Sequence, residues 1–304
     1  MGNKVYSGID KLPSGNASDD VINGCIVLEG GGFRGIYTSG VLDALMENDI
    51  NMSCTIGVSA GALNGVNYVA GHIGRSARAN LVYRHDSRYV GIKALRQSGG
   101  LIGIDFLFND FEDMYPLNTQ RIFSLKRRFA AVVTNCNTGK AEYFDSHTDR
   151  KNVFDAVKAS SSLPFISKMV YINGTPYLDG GCSDKIPFGW AIKQCYQKII
   201  VIKTRPDDYR KKLPDSNHSF AKLYYHSYPK FYEAFAKSDE NYNIQCDEID
   251  ALRKQGKLFV ISPSAPITVS RVEGDMEKLG QLYYMGYNDG QNQILNLKEY
   301  LNIN

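Results

Sequence analysis

The sequence predicts an α/β protein with a mainly parallel central sheet, layered α/β/α, followed by a helical C-terminal region. Two observations predict it. Short, continuously apolar runs such as Gly24-Cys25-Ile26-Val27-Leu28 have the character of strands buried on both faces. The first two such runs are each followed by a glycine-bearing turn and then a helix, the strand–turn–helix order that a parallel sheet requires.

The elements follow in order. Residues 24–28 form the first predicted strand, ended by the turn Gly30-Gly31-Gly32-Phe33-Arg34-Gly35. The next helix carries Ile36, Val41, Leu42, Leu45 and Met46 along one side. Residues 52–56 read as the second strand and 60–70 as the second helix. Later strands are expected at 129–134, 141–144, 169–172, 198–203 and 258–261. Residues 170–172 and 175–178 form a hairpin through Asn173-Gly174. Helices are expected around 152–160 and 190–196, and longer helical stretches at 220–254 and 276–296. Residues 204–217, charged and broken by Pro206 and Pro214, read as an exposed connection. The chain divides into a polar N-terminal segment over 1–22, an α/β body over 23–205 and a mainly helical region over 206–304 packed on it. It has no internal repeat or low-complexity tract.

Composition narrows the partners. The 304 residues are 43% hydrophobic and 22% charged, ordinary for a globular protein able to bury a large core. A net charge of +3 from 35 basic and 32 acidic side chains is too small to imply nucleic acid. It allows weak attraction to an anionic membrane surface and no more. No run of about 18 uninterrupted apolar residues exists to span a bilayer. The first 20 residues lack the apolar stretch of a signal peptide, and Tyr6 stands where myristoylation wants Ser or Thr. The expectation is a cytoplasmic protein with peripheral membrane contact at most. Six scattered cysteines, with no CxxC pair and no metal-ligand spacing, read as reduced thiols. No metal or other cofactor is expected, and the number of subunits stays open.

Three motifs carry chemistry. Gly57-Val58-Ser59-Ala60-Gly61 fits G-x-S-x-G, a sharp strand-to-helix turn that strains the serine and exposes its hydroxyl. The helix N-terminus behind it offers N–H groups to a developing oxyanion. Glu29-Gly30-Gly31-Gly32-Phe33-Arg34-Gly35 also satisfies G-x-G-x-x-G, but the second strand lacks the acidic end that would hold a ribose. Ile36-Tyr37 likewise replaces the Lys-Ser/Thr of a P-loop. Consecutive glycine N–H groups fit an oxyanion hole better. Arg34 is expected to brace the loop; the alternative is positive charge near an anionic head group. Leu178-Asp179-Gly180-Gly181, taken alone, reads as a turn.

Together, in this order and spacing, the three motifs resemble the patatin-like phospholipase family. The segment 158–165, Lys-Ala-Ser-Ser-Ser-Leu-Pro-Phe, resembles it too, so that the likeness covers roughly residues 24–205. The resemblance implies a lipid acyl hydrolase with Ser59 as nucleophile and Asp179 as base. It also implies an oxyanion site from the N–H groups around Gly30, Gly31, Gly32 and Gly35, with that of Ala60, beside Arg34. The implied substrate is a lipid ester, phospholipid or lysophospholipid.

Two other readings compete. An α/β-hydrolase with a Ser-Asp-His triad would use His218 or His226, which follow Asp179 in chain order but are expected in a helical region. A non-catalytic lipid-binding protein on the same fold would not need both Ser59 and Asp179. The aromatic run Tyr224, Tyr225, Tyr228, Phe231, Tyr232 and Phe235 is expected to face the core rather than a lipid surface.

Overall fold

The computed structural model describes residues 4–100, 102–213 and 219–303. The predicted apolar runs form an eight-stranded sheet. Its strands are β1 (Ile22–Leu28), β2 (Met52–Val58), β3 (Arg128–Asn135), β4 (Ala141–Asp145), β5 (Val170–Ile172), β6 (Thr175–Asp179), β7 (Ile199–Ile202) and β8 (Phe259–Ile261). The order is β8-β7-β1-β2-β3-β6-β5, with β4 also paired to β3. The pairs from β8 to β3 are parallel; those made by β4, β5 and β6 are antiparallel.

Both faces of the sheet are covered, which is why its strands read as unbroken apolar runs. Ile26 and Leu28 point to one face, Cys25 and Val27 to the other. On the first lie α1 (Ile36–Glu47), α2 (Ala60–Ala70), α4 (Val153–Ser160) and α8 (Met276–Leu301). On the second, α5 (Phe188–Lys193) supplies Trp190 and α7 (Pro229–Lys254) supplies Tyr242, Cys246 and Ile249. The architecture is the expected three-layer α/β/α.

The helix α8 is held against α1 by more than apolar burial. A Cβ on Gly286 would lie 2.0 Å from the Tyr37 carbonyl oxygen, and one on Gly40 would lie 2.1 Å from that of Tyr283. Glycines therefore let the two backbones approach. Across this seam Tyr283 donates to Asp43 (2.7 Å) and Tyr37 to Asp289 (3.0 Å).

Several expectations are corrected. Residues 75–122, for which the sequence analysis predicts no elements, form α3 (Arg75–Tyr83) and four shorter helices, at Ile92–Ser98, Ile104–Phe108, Asp110–Met114 and Thr119–Ile122. Each of these four is seven residues or fewer, too short for a helical period to register. The helical stretch 220–254 is two helices, α6 (Ser219–Tyr224) and α7, because Pro229 opens a new helix and holds Tyr228 out of helical geometry. The connection 204–217 is not uniformly exposed: Thr204 is fully buried and Lys211 only partly accessible; residues 214–217 lie outside the described set. Within the aromatic run, Tyr225 and Phe231 are buried, whereas Tyr224 is exposed. Among the described residues no helix is long and apolar enough to cross a membrane.

Candidate active site

The register of β3 brings Ser59 and Asp179 together. Val58, the last residue of β2, pairs with Val132, and Asp179, the last of β6, pairs with Val133. Because β4 covers Ala130–Thr134 from the opposite edge of β3, β2 and β6 share one edge. One runs parallel to β3 and the other antiparallel, so their C-terminal ends meet. Ser59 follows directly at the head of α2, with φ 55° and ψ −122°. This left-handed conformation is costly for a residue with a side chain and lifts it out of the strand. The glycines flanking it are required sterically: a Cβ on Gly57 would lie 2.4 Å from the Gly61 backbone, and one on Gly61 would lie 2.4 Å from the Leu28 carbonyl oxygen.

The segment around α4 fastens both residues. Ser59 N–H donates to the buried Ser160 Oγ at 2.8 Å, and Asp179 N–H donates to the Ser162 carbonyl at 2.9 Å. Thr134 Oγ1 donates to the Asp179 carbonyl at 2.8 Å. The carboxylate itself accepts from Gly181 N–H at 2.7 Å. Burial raises the Asp179 carboxyl above the ordinary carboxylate range, opposed by the Gly181 N–H, the Ser59 hydroxyl, Lys185 and Arg271.

The glycine loop sits beside Ser59 and is tied down from β7. Thr204 N–H donates to the buried Glu29 carboxylate (2.6 Å), and the Thr204 hydroxyl donates to the Gly30 carbonyl (3.1 Å). A Cβ on Gly30 would lie 3.2 Å from Ser59 Cβ, so this backbone passes directly over the serine. Gly32 has φ +57°, and Asn64 of α2 donates to the Gly35 carbonyl at 2.7 Å. Among the described residues no backbone acceptor takes the Gly31 or Gly32 N–H. Ala60 opens α2, where the first N–H groups have no intrahelical partner. Arg34, expected to brace this loop, is buried within it, but among the described residues its guanidinium donates no hydrogen bond and its Nε has no partner.

Two cavities meet at Ser59. One, of about 80 Å³, is mainly apolar, lined by Phe33, Ile36, Leu63, Leu107, Phe108 and Leu163 between α2, α3 and the short helices beyond, with Asn64, Asn67, Arg75 and Asn80 also on its wall. The other, of about 250 Å³, contains Asp179 and the glycine loop; apolar side chains such as Leu163 and Phe235 share its wall with eight charged ones, five of them cationic. His226 faces neither. It is exposed in the turn between α6 and α7 rather than in a helix, bonded to Leu223 and Ser227. His218 lies outside the described residues.

Sequence reasoning missed Thr204 and the individual roles of Ser160 and Ser162. The 158–165 segment drew notice as a whole, but nothing in it marks which hydroxyl meets which backbone group. Among the described residues no cluster of three or more His, Cys, Asp or Glu gathers as a metal site would.

Residues 26–192, more than half of the chain, match the family model of patatin-like phospholipase. Residues 228–302 match a second model, described as a domain of unknown function (DUF6363). The chain is 32% identical over 186 residues to the uncharacterized protein YjjU of Escherichia coli (strain K12), covering 60% of this chain and 52% of that protein. It is 24% identical over 211 residues to "Probable lipid hydrolase 463L" of Invertebrate iridescent virus 6, covering 62% and 72%. A third relative, the Homo sapiens 1-acylglycerol-3-phosphate O-acyltransferase PNPLA3, is 29% identical over 168 residues, covering 52% and 34%. The chain thus spans about half the length of YjjU.

Proposed function

The chain belongs to the patatin-like phospholipase family, and from that premise we propose that it hydrolyses carboxylic esters of lipids through Ser59 and Asp179. One observation carries the reading: a strained serine at a strand-to-helix turn shares a cavity with a buried carboxylate held at the end of β6, whose C-terminus meets that of β2 along β3.

Asp179 takes the proton of the Ser59 hydroxyl as Oγ attacks the ester carbonyl carbon, and the carbonyl oxygen becomes an oxyanion. The N–H groups of Gly31, Gly32 and Ala60 receive that charge. The intermediate collapses, the ester C–O bond breaks, and the alcohol leaves with the proton from Asp179. Water then attacks the acyl-enzyme, giving its proton to Asp179, and the fatty acid departs as Ser59 is reprotonated. A carboxylate is a weak base beside imidazole, and burial that raises its pKa brings it closer to the task.

The apolar cavity suits the acyl chain and the polar one the head group of a phospholipid or lysophospholipid. Exposed Phe220, Leu223 and Tyr224 of α6 support peripheral contact with a lipid surface. The test is labelling by a fluorophosphonate together with hydrolysis of a panel of lipid and short esters. Wild type should label on Ser59 and turn over; Ser59→Ala should do neither, and Asp179→Asn should lose turnover. Folded wild-type protein that takes no label would favour a non-catalytic binder, and equal turnover in all three would end the reading.

A further inference from the structure

The cationic cavity contains more positive charge than the reaction needs. Arg34, Lys185, Arg205, Lys211 and Arg271 line it, against the carboxylates of Glu29, Asp179 and Asp239. Five cations less three anions leave an excess of two positive charges. The carboxylates are already engaged: Glu29 by Thr204 N–H, Asp179 by Gly181 N–H and Asp239 by Lys211. Among the described residues, Arg34, Arg205 and Arg271 form no ion pair, and Arg34 is buried. The cations crowd one another. Burial, with repulsion from Arg205 and Arg271, lowers Arg34 to about 10. Burial and Lys211 lower Lys185 to about 8.

The aromatic walls exclude a different ligand. A quaternary ammonium head would need free ring faces. The Arg205 guanidinium lies over Tyr209 at 4.5 Å, and the Lys211 ammonium over Tyr242 at 5.1 Å. Both rings already hold a cation, and the third ring of this wall, Phe235, packs against Phe165 and Phe231.

We infer that this cavity binds the phosphate of a lipid ester whose head group ends in a phosphate monoester, while the acyl chain enters the apolar cavity across Ser59. The inference rests on Ser59 being the nucleophile. A phosphate monoester carries close to two negative charges at neutral pH, matching the excess. A phosphocholine head is zwitterionic, so it matches neither the charge nor the occupied rings.

The experiment compares hexanoyl lysolipids below their micelle concentration: glycerol phosphate, glycerophosphocholine and uncharged glycerol heads. The phosphate monoester should exceed the uncharged ester in kcat/KM by about tenfold or more, chiefly through KM, as charge-assisted hydrogen bonds allow. That ratio should shrink as salt rises. In Arg205→Gln/Arg271→Gln it should fall toward one, and in Arg205→Lys it should persist. Neither arginine forms an ion pair among the described residues, and a thermal melt checks that the double variant folds. Hydrolysis of all three lipids with equal kcat/KM overturns the head-group inference and leaves the hydrolase reading standing. Inorganic phosphate that inhibits the uncharged ester, with no preference for the phosphate lipid, overturns it in favour of a free-anion site. No turnover on any ester, with no fluorophosphonate adduct, overturns both.

Discussion

Ser160→Ala tests whether a hydroxyl about a hundred residues away holds the elbow in its active shape. Ser59 N–H has Ser160 Oγ as its acceptor at 2.8 Å, and Ser160 has no exposed surface. Removing the hydroxyl leaves a buried donor without a partner, a cost of about 1–3 kcal/mol. The positive φ of Ser59 stores a comparable strain, about 1–3 kcal/mol, so the turn has reason to relax once released. Whatever part of the cost appears at the reacting oxygen lowers kcat/KM, by about 5- to 150-fold if all of it does. The part that remains as lost stability lowers Tm by roughly 2–6 °C. The assay is kcat/KM on a soluble p-nitrophenyl ester, with fluorophosphonate labelling rate and a thermal melt in parallel. Ser161→Ala is the control. Its Oγ meets the Ser59 carbonyl at a long 3.4 Å, and that carbonyl already accepts from Ala62 and Leu63 N–H. If Ser160→Ala matches wild type in both rates and in Tm, the elbow does not depend on this bond and the account of it is wrong.

Two more expectations concern pH and the C-terminal helix. Because burial raises the Asp179 pKa and the base must be ionised, activity should be present above that pKa and lost as pH falls through it. The acid limb of kcat/KM should therefore centre above the ordinary aspartate value of about 3.9 and be unchanged in His226→Ala; a limb that vanishes with His226 would point to a triad instead. At the α1–α8 seam, Gly286→Ala should destabilise by about 1–3 kcal/mol in a denaturant titration, since its Cβ meets the Tyr37 carbonyl. Helix propensity alone predicts the opposite, a gain of about 1 kcal/mol, so a stabilised variant would refute the close approach.

What the sequence determined by itself was local. Alternate residues of 24–28 must be buried on both faces, and that is a property of the run itself. Gly57 and Gly61 stand two residues either side of Ser59, so the elbow and its steric demand lie within a five-residue window. The glycine loop is equally compact, which made Gly30, Gly31 and Gly32 legible as N–H donors. Asp179 was a different case: as an Asp-Gly turn it had no meaning of its own, and only its company with the other motifs singled it out.

What only the tertiary structure decided depends on separations that no window contains. Ser59 and Asp179 meet because consecutive residues of β3, Val132 and Val133, pair with the ends of two different strands. Ser160 bonds Ser59 from 101 residues away, and Thr204 bonds Glu29 from 175. Thr204 even read as surface, because the charges following it belong to a connection that folds over the cavity. The cationic wall is the extreme case. Arg34, Lys185, Arg205, Lys211 and Arg271 are unremarkable basic residues in a chain of nearly balanced charge, and their field exists only where the fold gathers them. Chain geometry sets a motif, but the charge on a cavity is a sum over everything packed around it.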